Sequence, residues 1–241
     1  VWTGSAVGSL TQVASDGDTG GANTSLLTFA ATAGVTYHLQ VCAYNGQALD
    51  YVVRLTANRL ADSSGNGRHG NYTAGGVYYL TRGVTGLLSD DTNKAARFVA
   101  SQACRGLIPY SSWMVQTAFS VEAIIESTQG DGVIASRGFS GSQSWLLNLT
   151  GGKLRFTRFG SGGNSQATSA TFNDGQRHHV LATYDATNGT ILYADGVQVA
   201  TAAPATTPVT TTEPLTIASD GTTPGGGTFY EGDLDEVAFY G

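Results

Sequence analysis

Apolar and polar residues alternate along much of the chain in short runs with a period of two. Because successive side chains of a β-strand point to opposite faces, such a run predicts a strand that buries one face. Gly, Asn or Asp bounds most runs, and helical spacing is nearly absent. The predicted strands are Leu26–Ala30, Val35–Ala43, Tyr51–Ala57, Phe119–Glu126, Trp145–Leu149, Lys153–Phe159, Arg177–Tyr184, Thr190–Ala194, Val197–Thr201, Pro214–Ala218 and Leu234–Tyr240.

Two tight hairpins are predicted near the end of the chain. Asn188-Gly189 and Asp195-Gly196 each separate two alternating runs. These residue pairs tolerate the positive φ that short hairpin turns require. The chain therefore turns back on itself twice in succession, which favours antiparallel pairing.

The many short strands predict an all-β fold, an antiparallel β-sandwich. Each strand buries one face, so a second sheet must cover it. The alternation predicts a shared set of buried residues, namely Phe119, Val121, Ala123, Ile125, Leu147, Leu149, Leu154, Phe156, Val180, Ala182, Tyr184, Ile191, Tyr193, Leu215, Ile217, Val237 and Phe239.

A domain boundary is predicted near Asn58. Residues 1–57 would form a small β-sandwich module, too short to close comfortably and therefore expected to be truncated at its N-terminus. Residues 58–241 would form the larger sandwich. Within it, the stretch 203–214 is rich in Pro and Thr and predicts an exposed loop or edge, since proline cannot donate into a central ladder.

Composition narrows the function classes. The 241 residues include 33 Gly, and 12 basic residues oppose 18 acidic ones for a net charge of −6, without a basic cluster. Binding to nucleic acid is therefore not expected, and no apolar run is long enough to predict membrane insertion. Cys42 and Cys104 allow one disulfide or two thiols. The chain starts at Val1 without an initiator Met, so we expect an excerpt of a longer protein.

The order of motifs from Leu60 to Tyr240 resembles the laminin-G-like, concanavalin A-like jelly roll. The resemblance rests on Ala61–Gly70, Phe119–Ala123, Trp145–Leu149, Gln176–Asp185, Leu192–Gly196 and Asp233–Val237. The first unit is similar, through Val1–Ser5, Leu10–Asp16, Leu27–Phe29 and Gly34–Val41, to a repeat of bacterial surface and phage tail proteins. Together the two modules resemble minor tail proteins of phages that infect actinobacteria.

The resemblance also implies a structural calcium site. Laminin-G-like domains of this type commonly join a Gly-rich loop to an acidic residue of the last strand, which would place Ca²⁺ between Asp62, carbonyls around Gly65 to Gly70, and Asp235. Oxygen ligands of these kinds suit Ca²⁺. An EF-hand is excluded, because Thr73 stands where its bidentate carboxylate belongs. The alternative is an Asx-turn in which Asp62 caps backbone N–H groups.

Glu122 and Glu126 are the candidate catalytic residues, because both carboxylates lie on one face of a predicted strand. Glycosidases use a pair of carboxylates, and some hydrolases with this jelly roll carry a third acidic residue between the two. Ile124 occupies that position here. His178 and His179 point to opposite faces and cannot share one metal ion. The sequence therefore favours a domain that is not an enzyme.

Aromatic residues outside the predicted core indicate carbohydrate binding, because sugars stack their C–H faces on aromatic rings. The candidates for glycan binding are Tyr110, Trp113, Arg137, Phe139, Arg158 and Phe159.

The sequence thus predicts a non-catalytic domain that binds carbohydrate on a bacterial cell surface. The resemblance implies a receptor-binding or adhesion part of a virion tail, or otherwise a secreted or cell-surface protein. The expected partners are a bacterial cell-surface glycan, other proteins of the same assembly and further copies of the chain. Two alternatives remain, a structural decoration module without sugar binding and, less favoured, a glycoside hydrolase.

Overall fold

The computed structural model describes residues 1–17, 27, 29, 31–32, 35–41, 59–73, 81–88, 93–139, 141–221 and 227–241. The chain divides into two compact units, Val1–Thr56 and Ala57–Gly241. Cys42, the predicted strand Tyr51–Ala57 and the predicted boundary at Asn58 lie outside the described residues. Within the described ranges, no helix has the length and apolar character needed to cross a membrane.

The first unit carries a small antiparallel sheet. Its described strands are β1 (Trp2–Thr3), β2 (Thr11–Gln12) and β3 (Tyr37–His38), with β1 in the centre. A 3₁₀ turn spans Val7–Ser9 between the first two strands. The described part of the predicted strand Val35–Ala43 is thus a strand only at Tyr37–His38.

The second unit contains most of the strands. In chain order they are β4 (Arg59–Leu60), β5 (Gly70–Thr73), β6 (Thr81–Thr85), β7 (Lys94–Phe98), β8 (Arg105–Ile108), β9 (Phe119–Glu126), β10 (Gly132–Arg137), β11 (Trp145–Thr150), β12 (Lys153–Arg158), β13 (Gly160–Gly163), β14 (Ser165–Thr171), β15 (Arg177–Asp185), β16 (Gly189–Ala194), β17 (Val197–Ala202), β18 (Thr206–Pro208), β19 (Leu215–Ile217) and β20 (Gly232–Tyr240). Short 3₁₀ turns span Ala100–Gln102 and Ser112–Met114.

These strands form two large sheets and one small one over the described residues. An eight-stranded sheet has the order β14-β12-β11-β10-β19-β8-β5-β4, and a seven-stranded sheet has the order β17-β16-β15-β9-β20-β7-β6. Strands β13 and β18 pair separately. All the pairings are antiparallel. The inner faces of both large sheets supply one hydrophobic core, so the predicted all-β sandwich is confirmed.

Several strands escaped prediction because their sequences lack an alternation of apolar and polar residues. Strand β14 consists of small residues, yet Ser165, Ala167 and Ser169 are buried and their neighbours are exposed. Strand β10 is buried along its whole length and so has no polar face. The other missed strands are β1, β2, β4 to β8, β13 and β18.

The predicted core is largely confirmed, with one correction in β16. Ile191 and Tyr193 were expected inside but are partly exposed, whereas Leu192 is completely buried. Leu192 pairs with Ala182, which lies on the buried face of β15. Since cross-strand partners share a face, this pairing decides which side of β16 enters the core. Val237 and Phe239 are half-buried but pack against the core cluster.

Both predicted hairpins are present. Asp195 and Gly196 have φ of 50° and 77° and form the two-residue turn between β16 and β17. In the turn before Gly189, the Asp185 carboxylate accepts hydrogen bonds from the backbone N–H groups of Thr187 and Asn188, each at 2.7 Å. The turns therefore form for the reasons that their residue types suggest.

His178 links two turns at the opposite end of β15 from Asp185. Its Nδ1 lies 2.7 Å from Oδ2 of Asp195 and its Nε2 lies 3.1 Å from Oδ1 of Asp174. The ring of Phe172 packs edge-on against the imidazole. Partial burial by itself would lower the pKa of His178, but the hydrogen bonds and charges of Asp195 and Asp174 outweigh it, so the pKa is raised.

The register of β16 predicts unequal effects of two neighbouring substitutions. Leu192→Ala should lower the free energy of unfolding by about 2 to 5 kcal/mol, because it leaves a cavity in the core. Ile191→Ala should lower it by about 1 kcal/mol or less, because that side chain is partly exposed in the folded state. Urea denaturation of both variants measures the difference, and equal losses would contradict the register.

The His178 contacts predict a pH-dependent contribution to stability. A raised pKa in the folded state means that protonated His178 stabilises the fold fully below its unfolded pKa of about 6.5. This contribution should be lost as the pH rises from there through the folded-state pKa. Measuring the free energy of unfolding against pH for the wild type and for His178→Gln isolates it as their difference. A difference that does not fall with rising pH would contradict the prediction.

Candidate functional site

The ends of several strands of the eight-stranded sheet lie side by side. Arg137 at the end of β10 pairs with Trp145 at the start of β11, and Trp145 pairs with Arg158 at the end of β12. On the other side, Arg137 pairs with Leu215, which pairs with Ile108 at the end of β8. This row of residues marks one end of the sandwich.

The seven-stranded sheet ends in the same place. Phe119 starts β9 and pairs with Tyr184 near the end of β15. The Phe119 ring lies 5.9 Å from the ring of Trp145 and 5.4 Å from that of Phe239 on β20. Since the aromatic contacts join the two sheets here, we call this part of the domain the aromatic end, defined by Arg137, Trp145, Arg158, Phe119 and Tyr184.

Tyr110 and Trp113 follow β8 at the aromatic end. Tyr110 is 41% exposed. Trp113 is half-buried, packs edge-on against Phe239 at 5.8 Å, and has the Arg68 guanidinium over its ring at 4.3 Å. Tyr110 therefore presents an accessible ring, whereas Trp113 is partly committed to packing.

Arg137 lies inside the domain rather than on its surface, with 2% exposure. Its Nη1 donates to the carbonyl of Met114 at 2.6 Å and its Nη2 donates to the carbonyl of Thr211. The guanidinium carbon is 5.8 Å from the centre of the Tyr110 ring. Burial lowers the pKa of Arg137, and its donors are directed at backbone.

Arg158 is buried in the same way, with 4% exposure. Its Nη1 donates to the carbonyl and hydroxyl oxygens of Ser144 at 2.6 and 2.7 Å, and to the carbonyl of Val209 at 2.7 Å. The guanidinium carbon lies 5.6 Å from the centre of the Tyr184 ring. Burial lowers the pKa of Arg158, and the nearby charge of Arg137 lowers it further.

Phe139 and Phe159 lie in the loops at the same end, and both are half-buried. The Phe139 carbonyl accepts from the Ser142 N–H at 2.8 Å, and the Phe159 backbone bonds with Ser144 and Val209. The structure thus brings all six residues proposed for glycan binding to one end of the domain. It places the two arginines behind the surface, and the role of the four aromatic residues in binding stays a prediction.

An open pocket of about 380 Å³ lies at the aromatic end, on the side of the seven-stranded sheet. Its walls are the ends of three adjacent strands, β9, β15 and β20. The residues that line it are Ala118, Phe119, Ser120, Thr183, Tyr184, Asp185, Tyr240 and Gly241. Phe119 and Tyr184 are buried, so the exposed ring of Tyr240, the hydroxyl groups of Ser120 and Thr183 and the carboxylate of Asp185 border the space, a combination that suits a sugar.

Sequence reasoning missed the polar residues of this pocket. Ser120, Thr183 and Tyr240 lie within predicted strands, and Asp185 was assigned to a turn. Tyr240 is 54% exposed at the end of its strand. The alternation of apolar and polar residues does show that these polar side chains lie on the accessible face of their strands. It does not show that side chains from different strands lie next to each other.

Tyr240 also belongs to a hydrogen-bonded cluster on the outer face of the seven-stranded sheet. Its hydroxyl donates to Oε1 of Glu122 at 2.6 Å, and Nε2 of His179 lies 2.9 Å from Oε2 of Glu122. Partial burial by itself would raise the pKa of Glu122, but the hydrogen bonds from Tyr240 and His179 and the charge of His179 outweigh it, so the pKa is lowered. Glu122 is therefore ionised at neutral pH.

The second carboxylate considered for catalysis lies further along β9. Glu126 pairs with Arg177 on one side and with Asp233 on the other. Ile124, between the two glutamates, is buried in a small cluster with Leu87 and Ala95. A hydrophobic patch thus stands between the two carboxylates.

The loop proposed to bind calcium forms an Asx-turn. Oδ1 of Asp62 accepts from the Ser64 N–H at 2.9 Å, and Oδ2 accepts from the Arg68 N–H at 2.8 Å. Gly65 lies in the exposed turn with φ of 82°. The hydrogen bonds, led by those with Ser64 and Arg68, lower the pKa of Asp62 to about 2. The turn that the sequence left open as an alternative is present.

Asp235 has different surroundings. It lies on β20, is 5% exposed, and its Oδ2 accepts from the Leu87 N–H at 2.8 Å. Its strand belongs to the seven-stranded sheet, whereas the Asp62 loop joins β4 and β5 of the other sheet. In the described ranges, no three His, Cys, Asp or Glu side chains are grouped to hold a metal ion. The Asp62 carboxylate is hydrogen-bonded within its own turn and the Asp235 carboxylate is hydrogen-bonded to the Leu87 N–H, and binding of calcium by Asp62, Gly65 and Asp235 stays a prediction.

The family model of the concanavalin A-like lectin/glucanases superfamily matches residues 106–241. No protein with a curated function matches the chain in sequence.

Solved structures share the architecture at low identity. Domain 4 of AbnA, a GH43 extracellular arabinanase from Geobacillus stearothermophilus in complex with arabinotriose, is 17% identical with a TM-score of 0.56, covering 75% of this chain and 86% of its own. The binding domain of Paraclostridial Mosquitocidal Protein 1 is 13% identical with a TM-score of 0.56, and the match covers 74% of this chain and 45% of that protein. The binding domain of Botulinum Neurotoxin DC in complex with SialylT is 10% identical with a TM-score of 0.52, and the match covers 72% of this chain and 43% of that protein. The chain therefore spans less than half of the latter two.

Calcium binding remains a prediction, and Asp62 provides its test. If calcium joins the Asx-turn, EDTA should lower the melting temperature of the wild type, since a ligand specific to the native state adds stability. Asp62→Ala should melt lower than the wild type and be insensitive to EDTA. Thermal melts of both proteins with CaCl₂ or EDTA measure this. A wild type that is insensitive to EDTA would leave Asp62 as a turn residue only.

Proposed function

The chain belongs to the concanavalin A-like lectin/glucanases superfamily, and from this premise we propose that it is a non-catalytic module that binds a bacterial cell-surface glycan. The pocket at the aromatic end carries the proposal. It combines the exposed ring of Tyr240 with hydroxyl groups of Ser120 and Thr183 and the carboxylate of Asp185. Rings can stack on the C–H faces of a sugar while polar groups hold its hydroxyls.

Exposed apolar side chains on the same end support this assignment. Among the described residues of the second unit, the large apolar side chains that are exposed are Leu88, Tyr110, Val115, Val197 and Tyr240. Three of these, Tyr110, Val115 and Tyr240, lie at the aromatic end or in the segment that follows β8 there. A contiguous exposed apolar patch commonly marks a binding site, and we propose that these three side chains contribute to one.

The carboxylate chemistry supports a binding role over hydrolysis. A glycosidase needs one carboxylic acid that is protonated at working pH and a second carboxylate beside it. Glu122 has a lowered pKa and both of its oxygens are engaged by Tyr240 and His179. Ile124 is buried at the position where some hydrolases with this jelly roll carry an acidic residue. These observations support a role for Glu122 in orienting the Tyr240 side chain beside the pocket.

The biological setting is part of the proposal. Relatives in fold include Domain 4 of an extracellular arabinanase in complex with arabinotriose and a neurotoxin binding domain in complex with SialylT. The motif order resembles minor tail proteins of actinobacterial phages, so we place the chain in a virion tail, or otherwise on a bacterial surface or in the secreted fraction. Many copies on one particle would multiply a modest affinity at each site. The chain would then act as a receptor-binding or adhesion part.

The decisive experiment measures binding of the full 241-residue chain to defined glycans. Arabinotriose, a sialylated oligosaccharide and extracted actinobacterial wall polysaccharides serve as probes, with isothermal titration or surface-bound polysaccharide as the readout. For the glycan that binds, Tyr240→Ala should weaken affinity by about tenfold, because a stacked ring is lost. Tyr240→Phe keeps the ring and loses the hydrogen bond to Glu122, so it should retain most of the affinity.

Tyr193→Ala is the matched control, because Tyr193 is half-buried on the same sheet but does not line the pocket. Failure of the folded chain to bind any probe would favour the structural decoration module. Release of reducing ends from wall polysaccharide, lost in Glu122→Gln and Glu126→Gln, would replace the proposal with a hydrolase.

A further inference from the structure

The Pro- and Thr-rich stretch 203–214, here called the strap, crosses the aromatic end without a regular ladder. Pro204, Pro208 and Pro214 lack the N–H that a ladder needs. The strap pairs briefly with β13 through β18, and Ala205 reaches the core. Over the rest of its length, its backbone carbonyls must find donors elsewhere.

Two buried arginines donate hydrogen bonds to two of these strap carbonyls. Arg137 donates from Nη2 to the carbonyl of Thr211, and Arg158 donates from Nη1 to the carbonyl of Val209 at 2.7 Å. The two acceptors are two residues apart in the strap. The Val209 N–H also donates to the Phe159 carbonyl at 2.9 Å. The middle of the strap is therefore held from both sides by groups of the eight-stranded sheet.

Burying the charge of these arginines costs free energy, so a role in packing alone would not explain why they are arginines. Both side chains are buried, and in the described part of the chain no carboxylate lies within ion-pair distance of either. The Nε atom of each has no hydrogen-bond partner there. Removing an unpaired charge from water costs several kcal/mol, and apolar side chains of similar size would avoid that cost. A guanidinium group, unlike an apolar side chain, provides several N–H donors in fixed directions.

Each arginine also connects the strap to a second part of the candidate site. Arg158 lies over the ring of Tyr184, which lines the pocket. Arg137 donates to the carbonyl of Met114 at 2.6 Å and lies near the ring of Tyr110. Loss of either guanidinium would therefore free the strap together with one neighbouring segment of the aromatic end.

We propose that Arg137 and Arg158 are positioning residues that fix the strap, Arg137 against the segment 110–116 and Arg158 against Tyr184, which is one of the residues that line the proposed glycan pocket. The link to glycan binding rests on the function proposed above, but the hold on the strap does not. The sequence pattern favoured direct contact of these arginines with sugar, whereas the geometry directs their donors to backbone.

Hydrogen–deuterium exchange of the full chain tests the hold on the strap. In Arg158→Met and Arg137→Met, the strap amides of Val209 and Glu213, which donate hydrogen bonds in the structure, should exchange about tenfold faster, because the strap opens more often once a charge-assisted hydrogen bond to its carbonyls is lost. Peptides of β9 and β11 should keep their wild-type uptake, since a local release leaves the core protected. General destabilisation would raise uptake in all of these peptides.

Arg155→Met is the matched control on the same strand as Arg158. Arg155 is half-buried and its Nε donates to Oδ1 of Asn148 at 3.1 Å, so its loss should leave strap uptake unchanged. Unchanged strap uptake in folded Arg137→Met and Arg158→Met would overturn the proposal.

Lysine variants keep the test decisive if the methionine variants do not fold. All three hydrogen bonds of Arg158 described above start from Nη1, so the ammonium group of a lysine, although it ends one bond nearer the backbone, can retain some of them, and Arg158→Lys should protect the strap better than Arg158→Met. Arg137 uses two nitrogens for two separate segments, so Arg137→Lys should expose the strap. Equal strap uptake in the two lysine variants would contradict this geometry.

Affinity for whichever probe glycan binds the wild type provides the second readout. It should fall in Arg158→Met, because Tyr184 loses the group packed against it. If no probe glycan binds the wild type, the proposed function fails, while the exchange data still decide whether the arginines hold the strap.

Discussion

The aromatic contacts around Phe119 and Trp145 join the two sheets at the end where the pocket and the strap lie. The ring of Phe119 lies within 6.1 Å of the rings of Trp145, Phe156, Tyr184 and Phe239. Trp145 and Phe239 stack at 6.0 Å with an angle of 10° between their planes. Large rings bury much apolar area and add directional contacts, so the positions of the strand ends, and of the loops that leave them, depend on this cluster.

The same end combines a rigid interior with an accessible surface. Arg137 and Arg158 flank Trp145 in the row of paired strands and direct their donors to loop carbonyls. The rings of Tyr110 and Tyr240 are exposed. Hydrogen bonds from the two buried arginines fix loops at this end, so under the proposed function a ligand would meet a preorganised surface, which would reduce the entropy cost of binding.

The fold itself does not decide the ligand. The superfamily match covers residues 106–241 and its name includes both lectins and glucanases. What separates these possibilities lies in particular side chains, since function belongs to sites rather than to architectures. Glu122 is ionised and engaged by Tyr240 and His179, and the polar groups of the pocket are those that recognise hydroxyls.

The fold class, the longer strands, the two hairpins and most of the core can be predicted from the sequence, because alternation and turn residues act over a few neighbouring positions. Strands such as β14 cannot, because their small residues show no contrast in hydropathy. The folded structure sets which side of β16 is buried, because that side follows from its pairing with β15. It also decided that Arg137 and Arg158 lie inside and that Ser120, Thr183 and Tyr240 border one pocket. These residues are distant in the sequence, and only the order of strands in the sheets brings them together.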